Sequence, residues 1–381
     1  MIYWIWLNTI DGLGPVMQRK LLNHFKNPKN IFDADEYEIM KVKNLGIIRA
    51  KEIKNTSLEK SKEILDKCEK NKIKILSIYD DLYPNQVKNI ISSPTVLYYK
   101  GEIRKNIMGV GIVGSRRCTS YGKTIAIEAA SYLAKNNITV ISGLAKGIDG
   151  YAHTACLKAG GYTVAFLGSS PDVCYPKEHN ILMESIIENG AVISEYPPET
   201  KALSKHFPKR NFLISSFSQK LLVVEAAQKS GALITAHFSS KINRKVFAVP
   251  NNIYQKTSSG TNNLILEGAK IYLNPEQLLE DEHILKSIKK FEDINQIKLK
   301  PENQNYKNNI NSKLKNDDNF DLEKYSSKEK MIIESIKEGT KFISEIMNDT
   351  NLNEREILEL ISILELEGVV RSIPGGRWKI T

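Results

Sequence analysis

Residues 107–117 read Ile107-Met108-Gly109-Val110-Gly111-Ile112-Val113-Gly114-Ser115-Arg116-Arg117. The first seven are apolar or glycine, and the run stops at small residues followed by two cations. A short apolar run bounded by turn residues predicts a strand buried on both faces. Gly109-x-Gly111-x-x-Gly114 also fits the expression for a dinucleotide-binding turn, but its context is wrong. In that fingerprint the glycines follow the strand and open a helix, with an acidic residue about 20 positions on. Here Gly109 and Gly111 lie inside the strand, and no acidic residue closes the next one. A nicotinamide or flavin oxidoreductase is therefore not expected.

Working outward, the same signature recurs. Ile138–Ile141, Tyr162–Leu167, Ala191–Ser194, Lys220–Val224 and Lys245–Val249 are short apolar runs rich in β-branched residues. Amphipathic stretches at Lys123–Lys135, His179–Glu188 and Gly231–Lys241 separate several of them. This alternation predicts an α/β fold with a mostly parallel sheet covered on both faces. Ligands on such sheets bind outside the carboxyl ends of the strands. Three glycine-bearing loops are expected at that edge: Gly114-Ser115-Arg116-Arg117, Ser142-Gly143-Leu144-Ala145-Lys146-Gly147-Ile148-Asp149, and Ser230-Gly231. Small residues admit a ligand to the backbone, helix N-termini favour phosphate, and Arg116 can grip it bidentately. Asp149 and His153, four apart at a helix start, are expected to brace the helix; an acid–base pair is the alternative. Phe207-Pro208-Lys209-Arg210-Asn211 places a ring among cations, the composition that serves single strands: bases stack while cations follow phosphates.

The flanks differ from this centre. Residues 1–75 predict helices with tight turns at Asp11–Pro15 and Asn44–Ile47, resembling a helix-hairpin-helix whose backbone N–H groups meet phosphate. The middle, 76–285, is the sheet domain. Residues 286–325 lose all periodicity, and Asn, Lys, Gln and Asp dominate, which predicts a flexible linker. In 326–381, Ser326 and Glu329 form a capping box, Ile357, Leu360, Ile361 and Leu364 a helical stripe, and a hairpin closes at Pro374-Gly375-Gly376. Three helices and a hairpin are the order of a winged helix. Its third helix carries Glu354, Glu356, Glu359, Glu365 and Glu367 against Arg355. Negative charge opposes insertion into a DNA groove, so this unit is expected to touch protein, or the basic core of its own chain.

The chain of 381 residues has a net charge of +10. Residues 100–280 hold 21 basic and 13 acidic side chains, whereas 326–381 hold 8 and 10, so a polyanion footprint is expected in the middle. Cys68, Cys118, Cys156 and Cys174 include no closely spaced pair, which argues against zinc and for reduced, mostly buried thiols. No apolar run reaches the roughly 18 residues of a membrane span, and the N-terminus lacks a basic leader, so a cytoplasmic protein without membrane association is expected.

The ordered motifs from Tyr83 to about Glu280 closely resemble the DNA-processing protein A (Smf) family. They include Leu97-Tyr98-Tyr99-x-Gly101, Gly111-Ile112-Val113-Gly114-Ser115-Arg116, Ser142–His153, Tyr175-Pro176, Ser194–Pro198, Phe207-Pro208-x-Arg210-Asn211, Val224–Ala227, Ser230–Ala236 and Gly260-Thr261-Asn262. The resemblance implies an extended Rossmann-like core flanked by a SAM-like helical domain and a winged helix. It implies binding of single-stranded DNA without a cofactor, loading of RecA recombinase in DNA processing, recombination and natural transformation, and a homodimer formed through the core. Carried over by motif, Arg116 grips phosphate, Lys177 extends the basic surface, and Phe207 and Arg210 line the strand's path. Some members carry Lys three residues before that Phe; this chain has Ser204 there and Lys205 one position nearer, and Lys205 is the candidate. The full set of expected DNA contacts is Gly114, Ser115, Arg116, Gly143, Lys146, Lys177, Lys205, Phe207, Arg210, Asn211, Ser230 and Gly231. A non-enzymatic role is expected. The alternative is a nucleotide-binding enzyme such as a nucleoside-phosphate glycohydrolase, with Glu225 and Asp149 as its carboxylates.

Overall fold

The computed structural model describes residues 1–279 and 325–380, apart from Asn106, Met108, Glu338 and 374–376. The expected linker, 286–325, falls almost wholly outside the described residues, as does the turn of the C-terminal hairpin.

Among the described residues, nine strands form one sheet: β1 (Lys74–Ser77), β2 (Val96–Gly101), β3 (Gly109–Val113), β4 (Thr139–Ser142), β5 (Thr163–Leu167), β6 (Gly190–Ser194), β7 (Lys220–Val223), β8 (Lys245–Ala248) and β9 (Lys270–Ile271). Their spatial order is β1-β2-β6-β5-β4-β3-β7-β8-β9. The run from β6 to β9 is parallel, while β1–β2 and β2–β6 pair antiparallel. The sheet is therefore mostly parallel, as expected, with an antiparallel edge that the β-branched runs did not announce. Chain order reverses direction between β3 and β7, which makes their carboxyl ends the crevice where such sheets take ligands.

The glycines of β3 serve packing. A Cβ on Gly109 would stand 2.4 Å from Ile141 Cδ1, and one on Gly111 2.7 Å from Ser218 Oγ. This is why they sit inside a strand, and it removes the dinucleotide reading. Ser120–Lys135 follows β3 and buries Ala126, Ala129, Ala130 and Leu133. The Thr119 hydroxyl caps it by accepting from Gly122 N. Glu225, fully buried just beyond β7, accepts from both the Thr119 amide and its hydroxyl. A carboxylate at a helix N-terminus complements the dipole there. It also ties the β7 end to the β3 end.

The N-terminal helices from Ile2–Thr9 to Ile47–Asn55 share one apolar core with the sheet, where Trp6, Leu21 and Ile31 join Tyr83, Phe166 and Phe217, while Glu59–Lys70 packs Ile64 and Cys68 against Val96 and Tyr98 in a smaller one. The Gln18 amide is buried, donating to Leu13 O at 2.8 Å and accepting from the Thr95 hydroxyl at 2.5 Å.

The C-terminal unit has helices Ser327–Lys337, Ile343–Thr350 and Glu354–Leu366. Strands β10 (Lys341–Phe342), β11 (Val370–Ile373) and β12 (Arg377–Ile380) form an antiparallel sheet in the order β10-β12-β11. The predicted capping box of Ser326 with Glu329 forms, and a second, Asn353 with Glu356, opens the third helix. Ile332, Ile336, Ile346, Ile357, Ile361 and Leu364 make its core. The acidic third helix turns toward the basic core of its own chain: Ile363 enters the sheet domain's apolar cluster, Glu365 lies 3.5 Å from Lys209, and Glu367 lies 2.8 Å from Lys241.

Candidate nucleic-acid interface

The loops after β3, β4 and β7 meet at the crevice. Gly147 fixes the approach of the first two. It holds φ at 77°, a left-handed conformation that side chains disfavour, and a Cβ there would lie 2.3 Å from Ser115 O. The Ile148 amide then donates to Ser115 O at 3.2 Å. Ser230 caps the next helix, its hydroxyl accepting from Ala232 N at 3.3 Å. The space beside Gly231 is open.

The resulting cavity is about 670 Å³. Eight of the twelve expected contacts line it: Gly114, Ser115, Arg116, Phe207, Arg210, Asn211, Ser230 and Gly231. Phe207, half-buried, stands in a cage of charge. The Arg116 guanidinium lies 5.4 Å from the ring centroid, that of Arg210 5.5 Å, and the Tyr175 ring 5.7 Å. These are cation–π and aromatic contact distances. An electron-rich ring between guanidinium groups suits a planar base carrying a phosphate.

Four expected contacts lie elsewhere. The Gly143 amide is already committed, donating to Asp149 Oδ2 at 3.1 Å. The space where its Cβ would be is filled by the Arg210 guanidinium, 1.0 Å away. Gly143 therefore admits an arginine, and is no phosphate cradle. Lys146 pairs with Glu178 on the exposed surface. Lys177 and Lys205 are exposed and outside the cavity wall, where Ser204 stands.

The charge run Phe207–Asn211 is not the solvated loop its composition suggests. It opens the helix His206–Phe217, and Arg210 and Asn211 are buried. Pro208 is tolerated because it falls in the first turn, where no amide partner is lost. Arg210 pairs with buried Asp149 at 3.5 Å. Burial pushes the Asp149 carboxyl up from its ordinary range and the Arg210 guanidinium down, each opposed by the other's charge. His153, fully buried, holds Thr163 Oγ1 through Nδ1 at 2.7 Å, and burial pushes it down to about 3. Asp149 and His153 thus brace separate elements. The cysteines are free, with Cys68 and Cys156 buried and pushed up to about 12 by burial.

Arg117, expected only as part of the first loop, joins the wall, as do Tyr175, Leu358 and Glu359, which the sequence did not point to as contacts. In the sequence, Tyr175 stands out only through the Tyr175-Pro176 motif. Leu358 and Glu359 come from the acidic helix, and no local pattern connects them to the crevice.

Residues 74–283 match the family model described as DNA recombination-mediator protein A. The chain is 37% identical over 284 residues to protein Smf of Synechocystis sp., covering 73% of this chain and 71% of that protein. It is 39% identical over 206 residues to DNA processing protein DprA of Streptococcus pneumoniae, covering 54% and 73%. The solved structure of the Streptococcus pneumoniae protein superposes with a TM-score of 0.65 at 31% identity, covering 74% of this chain and 98% of that one. DNA processing protein A from Helicobacter pylori, solved to describe its single-stranded DNA binding mode, superposes with a TM-score of 0.50 at 27% identity, covering 56% and 96%.

Proposed function

The chain belongs to the DNA recombination-mediator protein A family, and on that footing we propose that it binds single-stranded DNA in the crevice between β3 and β7. One observation carries this reading: the Phe207 ring flanked by Arg116 and Arg210 in an open cavity at the sheet's switch point. A base stacks on the ring, worth about 1–3 kcal/mol, while Arg116 holds a neighbouring phosphate. Arg210, anchored to Asp149, keeps the ring in place. The relative from Helicobacter pylori, described with single-stranded DNA, supports the same ligand.

The protein acts by holding the strand rather than by cleaving it. In support, the two carboxylates considered for hydrolysis are both engaged, Glu225 with Thr119 and Asp149 with Arg210. The bound strand is handed to RecA recombinase in DNA processing, recombination and natural transformation, in the cytoplasm. Two copies associate through the sheet domain, where Tyr254, Leu266 and Leu273 are largely exposed.

The test is binding of single- and double-stranded oligonucleotides across a salt series, with Arg116→Ala alongside. Affinity for the single strand should exceed that for the duplex and fall by about 0.7 log units per neutralised phosphate per log unit of salt. Arg116→Ala should lower both the affinity and that slope. Absence of binding at low salt sinks the reading.

A further inference from the structure

Two lysines on the helices that frame the cavity are already paired with carboxylates. Lys209, between Phe207 and Arg210 in sequence, lies 3.5 Å from Glu365. Lys241, at the far end of the helix whose N-terminus is Gly231, meets Glu329 at 2.9 Å and Glu367 at 2.8 Å. Glu356, by contrast, is paired within its own unit, 2.9 Å from Lys328. Leu358 and Glu359 complete the cavity wall. One helix, Glu354–Leu366 with the adjoining Glu367, thus sets Glu365 against Lys209 and Glu367 against Lys241.

Lys241 lies beyond the cavity. The helix Gly231–Lys241 has 11 residues, so its two ends lie about 15 Å apart at 1.5 Å per residue. A strand stacked on Phe207 and running on toward Lys209 and Lys241 would lie where the acidic helix now lies. Apart from Glu329, the paired side chains remain partly exposed, between 20% and 31%. Such pairs are weak and exchange with other anions. Phosphates have the advantage of releasing condensed counterions when they bind.

We propose that Lys209 and Lys241 form a second subsite for the phosphates of a single strand, and that the acidic helix occupies it in place of DNA. The proposal rests on the strand-binding reading above. The helix and the DNA compete for one surface, so short strands fill the cavity while longer ones must displace the C-terminal unit.

The experiment uses the full chain with Glu365→Gln and Glu367→Gln together, substitutions that keep side-chain length and Glu365's hydrogen-bonding reach to Ser372. Oligothymidylates of about 5 and about 20 nucleotides bracket the cavity alone and the cavity with its extension. The double variant should bind the long strand about tenfold tighter than the native chain, with a salt slope steeper by about 0.7 per added phosphate. Adding Lys241→Gln should take back part of that gain on the long strand and leave the short one unchanged. A folded double variant that binds the long strand no tighter overturns the competition. A gain that Lys241→Gln does not reduce overturns the subsite, leaving the helix as a roof over the cavity. If native and variant chains both ignore every strand at low salt, the strand-binding reading has failed, and this proposal with it.

Discussion

Asp149–Arg210 and Glu367–Lys241 each join a carboxylate to a cation, in opposite settings. The first is 5–6% exposed and lies beneath the cavity within one domain. The second is about 30% exposed and joins two units of the chain. A desolvated pair is costly to assemble, and removing one member strands the other charge in a medium that cannot solvate it. A half-solvated pair is screened by salt and contributes little. The inner pair is therefore a foundation that fixes Phe207 and Gly143. The outer one is a contact that water and ions can replace.

The severest way to break this contrast is Arg210→Met, which leaves Asp149 buried without its partner. It should destabilise the chain by about 3–5 kcal/mol in denaturant unfolding. A loss below 1 kcal/mol would place the two pairs in one class. Gly143→Ala attacks the same foundation from the backbone side. Its new methyl must evict the guanidinium that fills that space, and a loss of about 1–3 kcal/mol is expected from overpacking. Strand affinity should fall with it, because Arg210 no longer supports the ring.

The outer contact should respond least to mutation and most to solution conditions. Glu367→Gln should cost about 1 kcal/mol or less, and the difference should vanish in high salt. Its pH signature follows from Glu329. Burial pushes that carboxyl up, but hydrogen bonds from Ser326 and Lys241 outweigh it and hold the carboxyl below its usual value of 4.5. A folded-state value lower than the unfolded one stabilises at pH above 4.5, and the contribution disappears as pH falls through the folded value. Thermal midpoints of the native chain and Glu329→Gln should differ at neutral pH and converge below 4.5. A gap that persists in acid contradicts the assignment.

The same contrast explains what could be read from sequence. Strands β3 to β8 are legible because buried parallel strands need continuous β-branched runs. The crevice is legible because small residues at strand ends mark it. Arg210 was legible as a site residue but its burial was not, since its partner Asp149 lies 61 residues away. Gly143 misled for the same reason: a glycine that admits phosphate and one that admits a guanidinium look alike in sequence. The antiparallel edge of β1 and β2 is set by pairing with β6, not by a local pattern. The acidity of the third helix was legible in its sequence, while its position against the cavity depends on Lys209 and Lys241, more than 100 residues earlier.

Lys241 and Glu367 lie 126 residues apart on one chain. Their encounter is intramolecular, so its extent does not depend on how many copies of the protein are present. Dilution would dissolve a dimer or a complex with another protein, but leaves this contact as it was. The occupancy of Lys241 by its own carboxylates is a fixed property of each molecule, altered by the amount of competing anion and not by the level of expression.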